Sequence, residues 1–122
     1  MNIVPADLSL LLEDISKMGD IRRGFKVSPP NQDVISDTSK ICKKIWETKG
    51  MLPSSIFPSY MEGIYFDYIL DTSHRVVVEV YNVGDAVVIA TNDAKVIDIV
   101  EIPILGRVRV TCFVLNRFLR RG

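Results

Sequence analysis

The sequence predicts an α+β fold, an antiparallel β-meander of three to five strands with two N-terminal helices and a C-terminal helix packed on one of its faces. Three observations lead there. Residues 64 to 70 and 75 to 81 place Ile64, Phe66, Tyr68 and Leu70, and Val76, Val78 and Val80, on alternate positions, a period of two. The successive alternating runs are separated by short polar turns too small for a crossover. On the N-terminal side, by contrast, apolar residues recur every three to four positions, as on an amphipathic helix.

The first helix is read from Asp7, with Leu8, Leu11, Leu12, Ile15 and Met18 on one stripe, Pro5 and Asp7 at its start and Gly19 just past its end. Asp20 to Pro30, containing Ile21-Arg22-Arg23-Gly24-Phe25-Lys26, reads as a loop. Asn31, behind Ser28-Pro29-Pro30, is a strong N-cap, and Asp33 in the first turn favours the helix dipole. The second helix therefore begins there. Val34, Thr38, Ile41, Cys42 and Ile45 form its stripe with Trp46 at the core edge, and Gly50 ends it before Pro53.

Ser54 to Tyr60 contains Pro58, which confines it to a sheet edge or an irregular lead-in. Met61-Glu62-Gly63 then turns the chain into the central hairpin. Because a one-residue slip would send every side chain to the other face, the loop must keep both apolar sets together. A three-residue loop, Asp71 to Ser73, pairs Phe66 with Val78 and Tyr68 with Val76 on the buried side, and Tyr65 with Glu79 and Asp67 with Val77 on the other. A five-residue loop would set Asp67 opposite Glu79, and like charges facing each other are unfavourable.

Gly84, in Asn82-Val83-Gly84-Asp85, supplies the positive φ of the next turn, and Ala86 to Thr91 returns as a third strand. Asn92 to Lys95 reads as a turn and Val96 to Ile102 as a further strand ended by Pro103. The last segment fits two patterns. Val108, Val110, Cys112 and Val114 alternate like a strand, whereas Val108, Cys112, Leu115 and Leu119 share a helical face. A helix from about Thr111 is preferred, because Arg120 and Arg121 suit a helix C-terminus.

At 122 residues the chain fits a single domain spanning 1 to 122, large enough to bury a core without a cofactor or disulfide. With 48% hydrophobic and 25% charged residues it is not a disordered segment. No apolar run spans a bilayer and no signal peptide precedes the first helix, so a cytoplasmic protein without membrane attachment is expected. Cys42 and Cys112, far apart and outside any Cys-x-x-Cys spacing, read as buried thiols in a reducing compartment.

Net charge is zero but uneven. Residues 54 to 105 carry two basic and eight acidic side chains, whereas residues 106 to 122 carry five basic and none acidic. The expected outcome is a basic tail lying beside the acidic sheet, within the chain or across a dimer. A phosphate backbone would find no other concentrated basic face, so nucleic acid is not an expected partner.

His74 is the single histidine, beside the hairpin turn, so a Ser-His-Asp triad or a histidine metal site has at most one member here. Phosphate loops, Gly-x-Gly-x-x-Gly, His-Glu-x-x-His and cysteine clusters are all absent, and no cofactor or metal ligand set is expected. The best constellation for chemistry is Tyr65, Asp67 and Glu79 on the hairpin's second face. Two neighbouring carboxylates could act as acid and base if burial separated their pKa values, while a polar sheet face or interface is the plainer alternative.

Two functions are therefore expected. One is a non-enzymatic interaction or assembly protein, a homodimer or a subunit of a small complex, using Tyr65, Ile69, Val77 and Glu79 as its interface, with Ile97 also on that side. The other is a small hydrolase with Asp67 and Glu79 as its catalytic pair. No small-molecule ligand is named by the sequence.

From about residue 20 to 91 the chain resembles a group of small uncharacterised bacterial proteins frequent in cyanobacteria. The resemblance is carried by Ser28-Pro29-Pro30, Leu52-Pro53, Pro58-Ser59, Glu62-Gly63-Ile64 and Glu79-Val80-Tyr81-Asn82. It departs at Ile21-Arg22-Arg23-Gly24, where that group carries Trp-Asp-Gly. The resemblance implies the helix start and the hairpin, and no activity.

Overall fold

The computed structural model describes residues 6–20 and 28–120. Pro5, most of the basic loop before Ser28, and Arg121 lie outside the described residues. Helix α1, Ala6–Ser16, is followed by a 3-10 turn at Met18–Asp20 and by helix α2, Gln32–Lys49. Strands β1, Ser55–Ser59, β2, Gly63–Ile69, β3, His74–Tyr81, β4, Ala86–Asn92, and β5, Lys95–Ile102, come next, and helix α3, Arg107–Phe118, closes the chain. All five strands form one antiparallel sheet in the order β1-β2-β3-β4-β5.

The hairpin register is the one that avoids apposed carboxylates: Phe66 lies opposite Val78, Tyr68 opposite Val76, Tyr65 opposite Glu79 and Asp67 opposite Val77. The Leu70 N–H donates to the His74 carbonyl at 2.9 Å, closing a loop of Asp71, Thr72 and Ser73. Gly84 has φ of 121°, the left-handed value its turn requires. Gly63 is needed for another reason: a Cβ there would collide with the Val80 carbonyl oxygen on the neighbouring strand.

Strand β1 is a regular edge strand despite Pro58, since an edge tolerates a missing N–H on its open side. On the other edge, β5 shifts register between Ala90 and Thr91 as a bulge inserts one extra residue.

Helix α2 is capped as its sequence predicts. The Asn31 Oδ1 accepts the Val34 N–H at 2.9 Å, and Gly50, in the left-handed conformation, donates its N–H to the Trp46 carbonyl at 2.8 Å. Its stripe of Val34, Thr38, Ile41, Cys42 and Ile45 is buried against Ile64, Phe66, Val76, Val78 and Val80. Helix α1 packs on α2, and α3 packs on β4 and β5 as well as α2, so all three helices cover the same side of the sheet.

Helix α3 begins at Arg107 and not near Thr111. Its buried stripe opens with the polar Arg107 and Thr111 before reaching Cys112, Val114 and Leu115, while Val108 and Val110 alternate as a strand would, so the apolar pattern does not mark where the helix starts. The C-terminal helix packs on the same face as α1 and α2, against β4 and β5, and among the described residues no helix lies on the second face of the sheet.

Three of the motifs that carried the resemblance, at Ser28-Pro29-Pro30, Glu62-Gly63-Ile64 and Asn82, meet in space. The Asn31 N–H and Nδ2 donate to the Oδ1 and carbonyl oxygen of Asn82 at 2.9 and 3.1 Å, and Asn82 Nδ2 donates to the Pro29 carbonyl at 2.9 Å. The Asn82 N–H donates to the Glu62 carbonyl at 2.7 Å, and the Ser28 N–H to Glu62 Oε2 at 3.2 Å. This knot fixes the start of α2 to two turns of the sheet, a structural role for those residues.

Candidate functional site

Antiparallel pairing sets the side chains of the uncovered face in rows. One row holds Ile69, Arg75 and Thr91 with Val96 beyond them; the next holds Asp67, Val77, Ile89 and Ile99; the third holds Phe57, Tyr65, Glu79, Val87 and Glu101. The middle row is the most apolar. Ile99 is 55% exposed, Ile69 and Phe57 are each 46% exposed, and the bulge residue Ile97 is 61% exposed.

Asp67 and Glu79 both point to this face, as the hairpin register demands. They are diagonal neighbours with Tyr65 beside each, and each is engaged by a different hydroxyl. Tyr65 donates its O–H to Asp67 Oδ2 at 3.0 Å, and Ser59 donates its Oγ–H to Glu79 Oε2 at 2.7 Å. Tyr65 stacks on Phe57 with ring centroids 4.5 Å apart. Burial, followed by the bond to Asp67, raises the Tyr65 phenol above its ordinary pKa.

Asp67 is only 3% exposed, which its sequence position did not disclose. Arg75 approaches its Oδ2 at 3.7 Å, and its Oδ1 is buried without a hydrogen-bond partner. Acid and base catalysis needs one carboxyl to meet a substrate proton. Here each carboxylate already holds a hydroxyl of the protein, and neither lines the two clefts described below.

His74 sits at the hairpin turn with Asp71 and Ser73. Its Nδ1 lies 2.8 Å from both Asp71 carboxylate oxygens and 3.2 Å from Ser73 Oγ. A nucleophilic triad needs serine and aspartate on opposite ring nitrogens. Both fall on Nδ1 here, so the cluster is a turn lock, beside a cleft of about 350 Å³.

A larger cleft of about 860 Å³ lies between α2 and the start of α3, on the helical side. Lys40, Lys43 and Lys44 reach it from α2, Arg109 and Phe113 from α3, and Ile104 from the connecting loop. Arg107 closes its inner end: though a cation in the first turn of a helix, it is 4% exposed and held by Asp37 Oδ2 through Nε at 2.9 Å and Nη2 at 2.8 Å. Its Nη1 donates to the Tyr81 carbonyl at 2.8 Å. Sequence reading missed this cleft. Its two walls lie at least 57 positions apart in the chain, from Glu47 to Ile104, so they meet only in the folded protein.

Among the described residues no group of three metal-ligating side chains forms, and no helix is long and apolar enough to cross a membrane. Comparison with protein-family models, curated proteins and solved structures gives no match to this chain.

Proposed function

We propose that this chain is a non-enzymatic assembly protein that forms a two-fold dimer by stacking the uncovered faces of two sheets. The observation that carries this is the second face, where half-buried Val77 and Ile89 run on to exposed Ile99, flanked by exposed Ile69, Ile97 and Phe57, while every described helix packs on the other side. An apolar sheet face of this kind is the usual signature of a covered surface.

A second copy suits the face better than an added strand does, because both edges are blunted. Pro58 deprives the open side of β1 of an N–H, and on β5 the bulge and the Asp98 Oδ1, which accepts the Ile99 N–H at 2.9 Å, blunt the other edge. The charges favour self-association as well. Arg75 lies one row to one side of the middle row, and Glu79 and Glu101 lie one row to the other. A two-fold axis running across the strands through that middle row sets Arg75 of one copy over the glutamate row of its partner and apolar side chains over each other. Five strands at about 4.8 Å spacing and seven residues at about 3.3 Å give a face about 24 by 23 Å. That is the scale of a standard interface, roughly 800 Å² of accessible surface per partner.

Light scattering on the purified protein tests this. A dimer at micromolar concentration is expected, and Ile99→Lys, a substitution at an exposed position, should weaken it by more than tenfold. Arg75→Glu should weaken it too, and adding Glu79→Arg, the residue the axis sets over it, should restore part of the loss. A wild type that stays monomeric at high micromolar concentration, or an Ile99→Lys dimer of unchanged affinity, refutes the reading.

A further inference from the structure

We propose that the cleft between α2 and α3 binds a phosphorylated small molecule, with its phosphates on Lys40, Lys44 and Arg109 and its apolar body against Ile104, Val108 and Phe113.

The cleft is oversupplied with positive charge. Six charged side chains besides Glu47 line it, but Arg107 and Asp37 neutralise each other in their forked contact. What remains is four cations, Lys40, Lys43, Lys44 and Arg109, against the one carboxylate of Glu47, an excess of three. Ion pairs among the described residues leave all four of these cations without a carboxylate partner. Lys40 and Lys44 stand one turn apart on α2, a like-charge spacing that disfavours an isolated helix. An anion between them removes that penalty.

The backbone adds donors at the same place. Gly106 precedes α3 in the left-handed conformation and offers no side-chain cap, so among the described residues the Val108 and Arg109 N–H groups of the first turn have no acceptor. Arg109 folds back toward Gly106, which puts its guanidinium beside those amides. Uncapped amides, a guanidinium and two ammonium groups together present the donor set that phosphate oxygens accept.

Size and the apolar wall select the rest of the ligand. A volume of about 860 Å³ lies within the range of small-molecule sites, roughly 300 to 1,000 Å³, and exceeds what a bare phosphate fills. Ile104 and Phe113 are exposed at 67% and 62%, a surface that an aromatic or aliphatic body would cover. A triphosphate joined to a flat ring has both parts. The cleft lies on the helical side of the sheet, so its occupancy is separate from the stacking of the opposite face.

The test is amide chemical-shift mapping on the whole protein, titrated in low salt with adenosine triphosphate, inorganic triphosphate and adenosine. Saturable shifts at Gly106, Val108 and Arg109 are expected with adenosine triphosphate, inorganic triphosphate should bind more weakly, and adenosine alone should not bind. Lys44→Gln with Arg109→Gln, both at exposed positions, should weaken adenosine triphosphate roughly ten- to a hundredfold with the melting temperature kept, the loss expected for charge-assisted bonds. Shifts that fail to saturate or fall elsewhere, an unaffected double variant, or inorganic triphosphate binding as tightly as the nucleotide would each overturn the proposal. So would an acidic oligoglutamate peptide that displaces the nucleotide and binds more tightly, since the cleft would then be a peptide groove.

Discussion

Asp71 holds the central hairpin's loop with one carboxylate. Its Oδ1 accepts the N–H groups of Ser73 and His74, each at 2.9 Å, while His74 Nδ1 sits 2.8 Å away. The Ser73 amide foremost, and the His74 side chain after it, hold the Asp71 carboxyl far below its ordinary range. A carboxyl depressed in the folded state stabilises it above the unfolded pKa, about 3.9, and that contribution fades as pH falls through the native value. The wild type should therefore melt higher than Asp71→Asn near pH 6, and the gap should narrow steadily from about pH 4 downward. Thermal melts across that range measure it; a gap independent of pH would show that the charge has no part in the loop. At this scale the sequence was partly legible. Cys42 and Cys112 are buried free thiols as read, and burial raises the Cys112 thiol to about 11. The burial of Asp67 and the partners of Arg107 were not legible, because they depend on side chains brought in from other elements.

Among the elements, α2 is the best specified. Asn31 both caps the helix and grips Asn82, so Asn31→Ala removes the side-chain bonds to the Val34 N–H and the Asn82 carbonyl. Loss of such a cap costs about 1 kcal/mol, which for a domain of this size is a melting temperature about 4 °C lower. Asn31→Asp keeps the cap acceptor and should recover part of the drop, as calorimetry would show; an alanine variant that melts with the wild type removes the cap from the list of stabilising contacts. The strands were legible for a similar reason. Alternation gave their faces and the repulsion between Asp67 and Glu79 gave their register, both local properties. Helix α3 was harder, since Val108 and Val110 mimic a strand while the residues that anchor its first turn, Arg107 and Thr111, are polar.

For the whole molecule, the division of the sheet into a covered and an uncovered face decides how substitutions act. Val78 is fully buried between α2 and the centre of the sheet, beside Phe66 and Val88. An unpaired carboxylate there costs several kcal/mol, against a total stability of roughly 5 to 15 kcal/mol. Val78→Asp should abolish the cooperative melt, which circular dichroism would detect, whereas Ile99→Lys should leave it in place. A cooperatively folded Val78→Asp protein would mean that the covered side is not the core. The strands also pair in chain order, joined by connections of a few residues, so the sheet closes only short loops as it forms, and the entropic cost of closure is small at each step. Arg107 and Asp37 are 70 positions apart, and their contact closes one of the longest loops in the chain. Folding speed falls as contacts become less local. The meander is thus cheap to search for, and the junction of α3 with α2 is the part of the native state that the chain must find over the greatest distance.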